Sequence, residues 1–285
     1  MIRHILLLAL LLFPAYGKAT TEANIDLVIN EIYRTYGDRV KIDRKTLVKF
    51  GRATDIDTDQ REIVGLNQNE TYVSTNAIDS ISSSNGSDTV TIAYEGMTIS
   101  GSEFTFFADT VTVSGQTRVA LPTAAARVTR AYVLGTTEPA GNIYIYENTA
   151  LTSGVPTDIT KAHNLITAGE NQSLRAATSV AKNNYFIMIN IYAYMNKATN
   201  GTANIKLRTR SLDGVFRTKF VGAISNSQEL EHVYHPYMIV PPNTDISMTA
   251  NGSTNNLDVS AGFQGFFADI MTDEEWNNYR SLGID

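Results

Sequence analysis

"YFIMINIYAYM" occupies residues 185–195. Alternate side chains of a β-strand point to opposite faces, and this run is apolar on both, with Asn190 the one interruption. A strand of that kind has to be central and covered twice, or it lies in a subunit contact. Similar short runs rich in Val, Ile, Thr, Tyr and Phe stand on either side of it. They are "TVTIAYEGMTI" (89–99), "DTVTVSG" (109–115), "RVTRAYVLG" (127–135), "GNIYIYEN" (141–148), "ANIKLRTRSL" (203–212) and "LDVSAGFQGFFADI" (257–270). Turn-forming clusters such as "SSNGSD", "NKATNG" and "TANGSTNN" separate them. Many short strands without intervening helices predict an all-β fold, a β-sandwich or jelly roll.

Around Gly154 and Pro156 the apolar pattern lapses, in "TALTSGVPTDITKAHN" (149–164). Two sandwich domains are therefore expected, at 60–150 and 165–270, with one extended sandwich as the alternative. Outside them, Ile25, Val28, Ile29, Ile32, Tyr33 and Tyr36 form a helical stripe ending at Gly37, which makes residues 20–59 an N-terminal helix and arm. Residues 271–285 read as a short C-terminal helix. Thr272 and Glu275 form its capping box, and Trp276, Tyr279 and Leu282 pack back on the body. Residues 1–19 form a leader: Arg3 and His4, an apolar run from Ile5 to Phe13, then Pro14 and small residues. This fits a secretory signal cleaved near residues 17–19, or an uncleaved apolar anchor. The run is too short for a stable membrane span, which takes about 20 apolar residues.

The formal charge is −6 and no cysteine is present, which argues against a dedicated nucleic-acid binder and excludes disulfides and thiolate metal sites. In "KFGRATDIDTDQREIVG" (49–65), Asp55, Asp57 and Asp59 have the spacing that opens a calcium loop. The sixth and twelfth positions, Gln60 and Leu66, fail the EF-hand requirements for Gly and Glu. A looser calcium site with Glu62 is one reading, and a polar turn is the other. His232 and His235 in "ELEHVYHP" fall on an extended segment, where a three-residue step sends side chains to opposite faces and spoils zinc geometry. Lys206, Arg208 and Arg210 share one strand face, followed by Arg217 and Lys219. Such a row reads as a solvated sheet face, or as a grip for an acidic neighbour or anionic glycan. Sequons at Asn69, Asn85, Asn171, Asn200 and Asn251 fall in predicted loops. No P-loop, nucleophile elbow or dinucleotide fingerprint is present. No catalytic, cofactor-binding or metal residue is assigned, and no cofactor is expected.

"KFGRATDIDT" (49–58), "SISSSNGSDT" (80–89), "DTVTVSGQTRV" (109–119), "RVTRAYVL" (127–134), "ENQSLRAATSV" (170–180), "KLRTRSLDGVFR" (206–217), "IVPPNTDISM" (239–248) and "NNLDVSAGFQGFFAD" (255–269) occur in that order. Together they resemble a group of β-rich virion structural proteins of tailed bacteriophages common in marine phages. The resemblance covers about residues 47 to 270. It implies a non-enzymatic particle component, in head decoration, neck or tail, located in the virion. It also implies that the partners are other virion proteins and further copies of itself, with a trimer as one form of the homo-oligomer. The aspartates then mark a structured turn at the start of the β body. The signal-like leader and the 14 tyrosines support the alternative, an exported periplasmic or extracellular β-sandwich module that binds a glycan or surface.

Overall fold

Alternation of apolar and polar residues becomes eighteen strands and a single three-residue 3₁₀ turn in the computed structural model, which describes residues 40–66, 68–196, 201–225 and 228–270. β1 (Val40–Ile56) and β2 (Arg61–Glu62) come first. β3 (Ile78–Ser83), β4 (Thr91–Ser100), β5 (Glu103–Thr112), β6 (Val119–Ala125), β7 (Arg127–Leu134) and β8 (Ile143–Glu147) follow. A small hairpin, β9 (Leu151–Thr152) with β10 (Val155–Pro156), precedes β11 (Ala162–Ile166). β12 (Ala177–Val180), β13 (Asn184–Met195), β14 (Thr202–Ser211), β15 (Arg217–Ser225), β16 (Glu229–Val240), β17 (Thr244–Gly252) and β18 (Leu257–Ile270) complete the body. The described residues are all-β, built from antiparallel sheets.

Two pairs of sheets each enclose a core. In the first unit, the sheet β11-β8-β3-β6 faces β5-β4-β7. Ile78, Ile81, Ile92, Tyr94, Val128, Ile143 and Ile145 fill the space between them. In the second unit, β1-β18-β13-β16 faces a sheet ordered β12-β17-β14-β15, where β2 also pairs with β17. Phe186, Met188, Ile191, Leu207, Ile246, Met248 and Phe263 lie between these layers. β13 runs between β18 and β16, as its doubly apolar run requires. Phe186 and Met188 face the main core, whereas Ile187 on the other face packs with Tyr237, Phe266 and Ala268.

β1 departs from the arm expected for 20–59. It is a 17-residue strand paired with β18 from Val40↔Ile270 to Ile56↔Leu257. Lys41, Asp43, Arg44, Lys45 and Lys49 break the alternation that would mark a strand. The stretch read as a boundary, 149–164, contains β9, β10 and the start of β11, whose Leu165 and Ile166 pair with Tyr144 and Ile143 of β8. The leader of residues 1–19, the helix read over 21–36 and the helix read over 271–285 all lie outside the described residues.

Gly51 sets the spacing between the layers of the second unit. A Cβ there would stand 2.2 Å from the Ile63 carbonyl oxygen and 2.3 Å from the Ala176 nitrogen. Those two groups are themselves hydrogen-bonded at 2.9 Å.

Candidate functional site

Two regions concentrate chemistry: a buried polar seam where the units meet, and an open edge of the second unit. The seam begins with Asp245 on β17, which is fully buried. It accepts a bidentate pair from Arg127 of β7, with Nε to Oδ1 at 3.0 Å and Nη2 to Oδ2 at 3.1 Å. Arg210 of β14 adds Nη2 to Oδ2 at 2.6 Å, and the Ser179 hydroxyl donates to Oδ1 at 2.6 Å. The rest of Arg127 is satisfied by the carbonyls of Val73 and Ala126. Tyr72 stacks under both guanidiniums, 5.0 Å from Arg127 and 4.3 Å from Arg210.

Glu62 of β2 lies beside this cluster. It accepts from the Tyr72 hydroxyl at 2.7 Å, the Ser247 hydroxyl at 2.5 Å, the Glu70 backbone nitrogen at 2.7 Å and Arg208 at 3.3 Å. Burial, and then the nearby Glu70 charge, push its carboxyl above the usual range. Glu70 goes the other way. Burial would raise it, but Arg175 and His163 hold its carboxyl down at about 2. Arg175 binds Glu70 and the His163 carbonyl, while the His163 ring meets Glu147 at 2.9 Å. Lys49 of β1 reaches across to the Thr129 carbonyl of β7 at 2.6 Å. Burial, and then the Arg175 charge, lower its pKa to about 7. Glu62, Glu70, Arg127, Arg175 and Asp245 are each less than a tenth exposed. They offer no reacting atom to a substrate in solution; their chemistry is to hold two β bodies in one relative position.

The seam decides how the sequence expectations for the charged residues come out. The Lys206, Arg208 and Arg210 row is not a solvated face. Lys206 binds Gln60, Arg208 binds Glu62 and Arg210 binds Asp245. Asp55 and Asp57 clasp Arg61, at 3.4 and 2.6 Å, in the turn between β1 and β2. Asp57 also accepts the Gly252 amide on its carbonyl and the Asn256 amide on its carboxylate. Glu62, the fourth ligand of the looser calcium reading, is spent in the seam instead. Among the described residues no three acidic, histidine or cysteine side chains converge on a metal geometry. His232 packs between Phe220 and Tyr234, with ring centroids 4.8 and 4.7 Å away, and His235 is exposed. Tyr94, Tyr144, Tyr146 and Tyr237 are buried, so a good part of the tyrosine count belongs to cores and not to a glycan-binding surface.

The open edge is the region the sequence did not reveal. β15 ends one sheet of the second unit and β16 ends the other, so two edge strands, each paired on its inner side alone, border the same side. Of the eight large apolar side chains exposed among the described residues, four lie here: Val215, Val221, Val233 and Ile239. The strands meet at Ser225 and Gln228 and diverge toward Arg217 and Ile239. Between them lies a groove of about 430 Å³, lined by Val215, Arg217, Lys219, Met238, Ile239 and Pro241 among others. Among the described residues no helix is long and apolar enough to cross a membrane.

No family model matches the chain, and no curated protein matches it. Solved structures give slight similarity. The T13 particle of infectious bursal disease virus aligns at 9% identity and a TM-score of 0.22, over 84% of this chain and 72% of that one. The VP2 subviral particle of the same virus aligns at 9% identity and 0.19, over 84% and 74%. Escherichia coli ycfD aligns at 8% identity and 0.16, over 87% and 60%. The first two are viral capsid proteins, of an animal virus and not of a tailed phage. Likeness this slight carries no argument about fold or activity.

Proposed function

We propose that the protein is a non-enzymatic structural component of a tailed-phage virion, in head decoration, neck or tail, acting through contacts with its own copies and with other virion proteins. Two jelly-roll-like sandwiches, one made by residues 78–166 and set within the chain of the other, give rigid faces for such contacts. The observation that carries the reading is the open edge. Two adjacent edge strands that expose Val221 and Val233 present backbone hydrogen-bonding groups and apolar surface together, the combination that subunit interfaces cover. The ordered sequence blocks that resemble those of phage virion proteins add support, and the buried seam offers no reacting atom to a substrate.

Sedimentation of the full chain tests this. Concentration-dependent association is expected, and Val221→Lys, a change at a side chain 58% exposed, should weaken it at least tenfold with circular dichroism unchanged. A monomer at every concentration, together with absence from density-purified particles, would sink the reading.

A further inference from the structure

We propose that the groove between β15 and β16 is the docking site for the chain's own residues 271–285. Three observations carry this, and none depends on the protein's place in a particle. The first is position. Phe267 of β18, Phe186 of β13 and Val240 of β16 lie in one row across the sheet. The chain leaves β18 at Ile270, three residues beyond that row, so at about 4.8 Å between strands and about 3.3 Å per residue it starts roughly 10–15 Å from the Met238–Pro241 wall of the groove. Fifteen residues follow Ile270. Even a few of them, at about 3.3 Å each, cover that distance.

The second is charge. Residues 271–285 carry Asp273, Glu274, Glu275 and Asp285 against the single cation Arg280. The groove lining carries Arg217 and Lys219 and no carboxylate. An acidic segment is steered to this groove, whereas a basic one is repelled. The third is shape and polarity. The floor and walls supply Val215, Met238, Ile239 and Val240, which suit the apolar side chains of Trp276, Tyr279 and Leu282. Thr209, Ser211 and Thr244 share the lining, so a slot of this kind takes an aromatic side chain with a polar edge. Residues 21–36 are also apolar and acidic, but they precede β1, which lies a further strand away at the opposite edge of the sheet.

Trp276 is the only tryptophan of the chain, so intrinsic fluorescence reads this segment alone. In the full-length protein its emission is expected to be blue-shifted and several-fold protected from acrylamide. The double charge reversal Arg217→Glu with Lys219→Glu, at two exposed positions, should abolish both effects with circular dichroism unchanged. Solvent-exposed emission in the unaltered protein overturns the proposal. So does protection that survives the charge reversal, because the segment then docks elsewhere. The chain has no cysteine, so a second measurement is clean. Val215→Cys combined with Leu282→Cys should crosslink within one chain on oxidation. Crosslinked dimers in place of monomers would assign the groove to the segment of a second copy and overturn docking within the chain.

Discussion

Lys49 shows how a single residue can hide its role. In sequence it is one lysine in a basic stretch; in the structure it is buried, with its ammonium on the Thr129 carbonyl. Its pKa is lowered to about 7 from an ordinary 10.5. Between those values the unfolded chain binds more protons than the folded one, so this group makes stability rise with pH. The urea midpoint is expected to rise between pH 7 and pH 9, by an amount equivalent to about 2 kcal/mol. Burial raises the pKa of Tyr72, Tyr94 and Tyr234 above their usual value, so their linkage runs the other way and takes effect toward pH 10, above this window. Lys49→Met should flatten the slope and stabilise the protein at pH 7. An unchanged slope in the variant would show that the lysine stays charged when folded. The Arg208 and Arg210 row was misread for a related reason. The strand placed them on one face, as the alternation required, but Arg208's partner Glu62 lies 146 positions away. No local pattern announces such a pairing.

At the level of the element, strands with clean patterns were legible and those carrying charge were not. "YFIMINIYAYM" became β13, central and covered on both faces, because its composition leaves no face for water. β4, β7, β8, β14 and β18 likewise fall where apolar residues recur at alternate positions. β1 escaped because five charged residues between 41 and 49 outweigh its apolar ones. Its fit against the opposite layer depends on Gly51, where a methyl group would strike two backbone groups. Gly51→Ala is expected to lower stability by about 1–3 kcal/mol, the range for overpacking, measured by calorimetry. Gly86→Ala, whose Cβ meets nothing within 4 Å, is the matched control and should be near neutral. Equal behaviour of the two variants would refute the close approach. The open edge at β15 and β16 was illegible for a different reason. That two strands border a sheet follows only from the order of all its strands, which a single sequence does not state.

Across the whole molecule, the seam does what a linker cannot: it makes two cores answer to one another. Asp245, fully buried, binds Arg127 from the first unit and Arg210 from the second. Removing one partner of such a cluster leaves buried charge uncompensated, at a typical cost of about 3–5 kcal/mol. Asp245→Asn is therefore expected to lose stability on that scale. It should also split a single calorimetric transition into two as the units unfold independently. One transition with unchanged midpoint would show that apolar contacts, such as Met97 and Phe104 against Ala181, couple the units without the charges.

The pairing of Val40 with Ile270 also fixes an order in time. On a ribosome β1 is made 230 positions before the end of its partner, a delay of tens of seconds at about 5–20 residues per second. Every strand of the first unit finds its neighbours within residues 78–166, so that unit can close while the nascent chain is still growing. β1, exposed and laden with charge, waits. The lysines and arginines that hid it from a sequence reading are the same ones that keep a solitary strand soluble until its partner is synthesised.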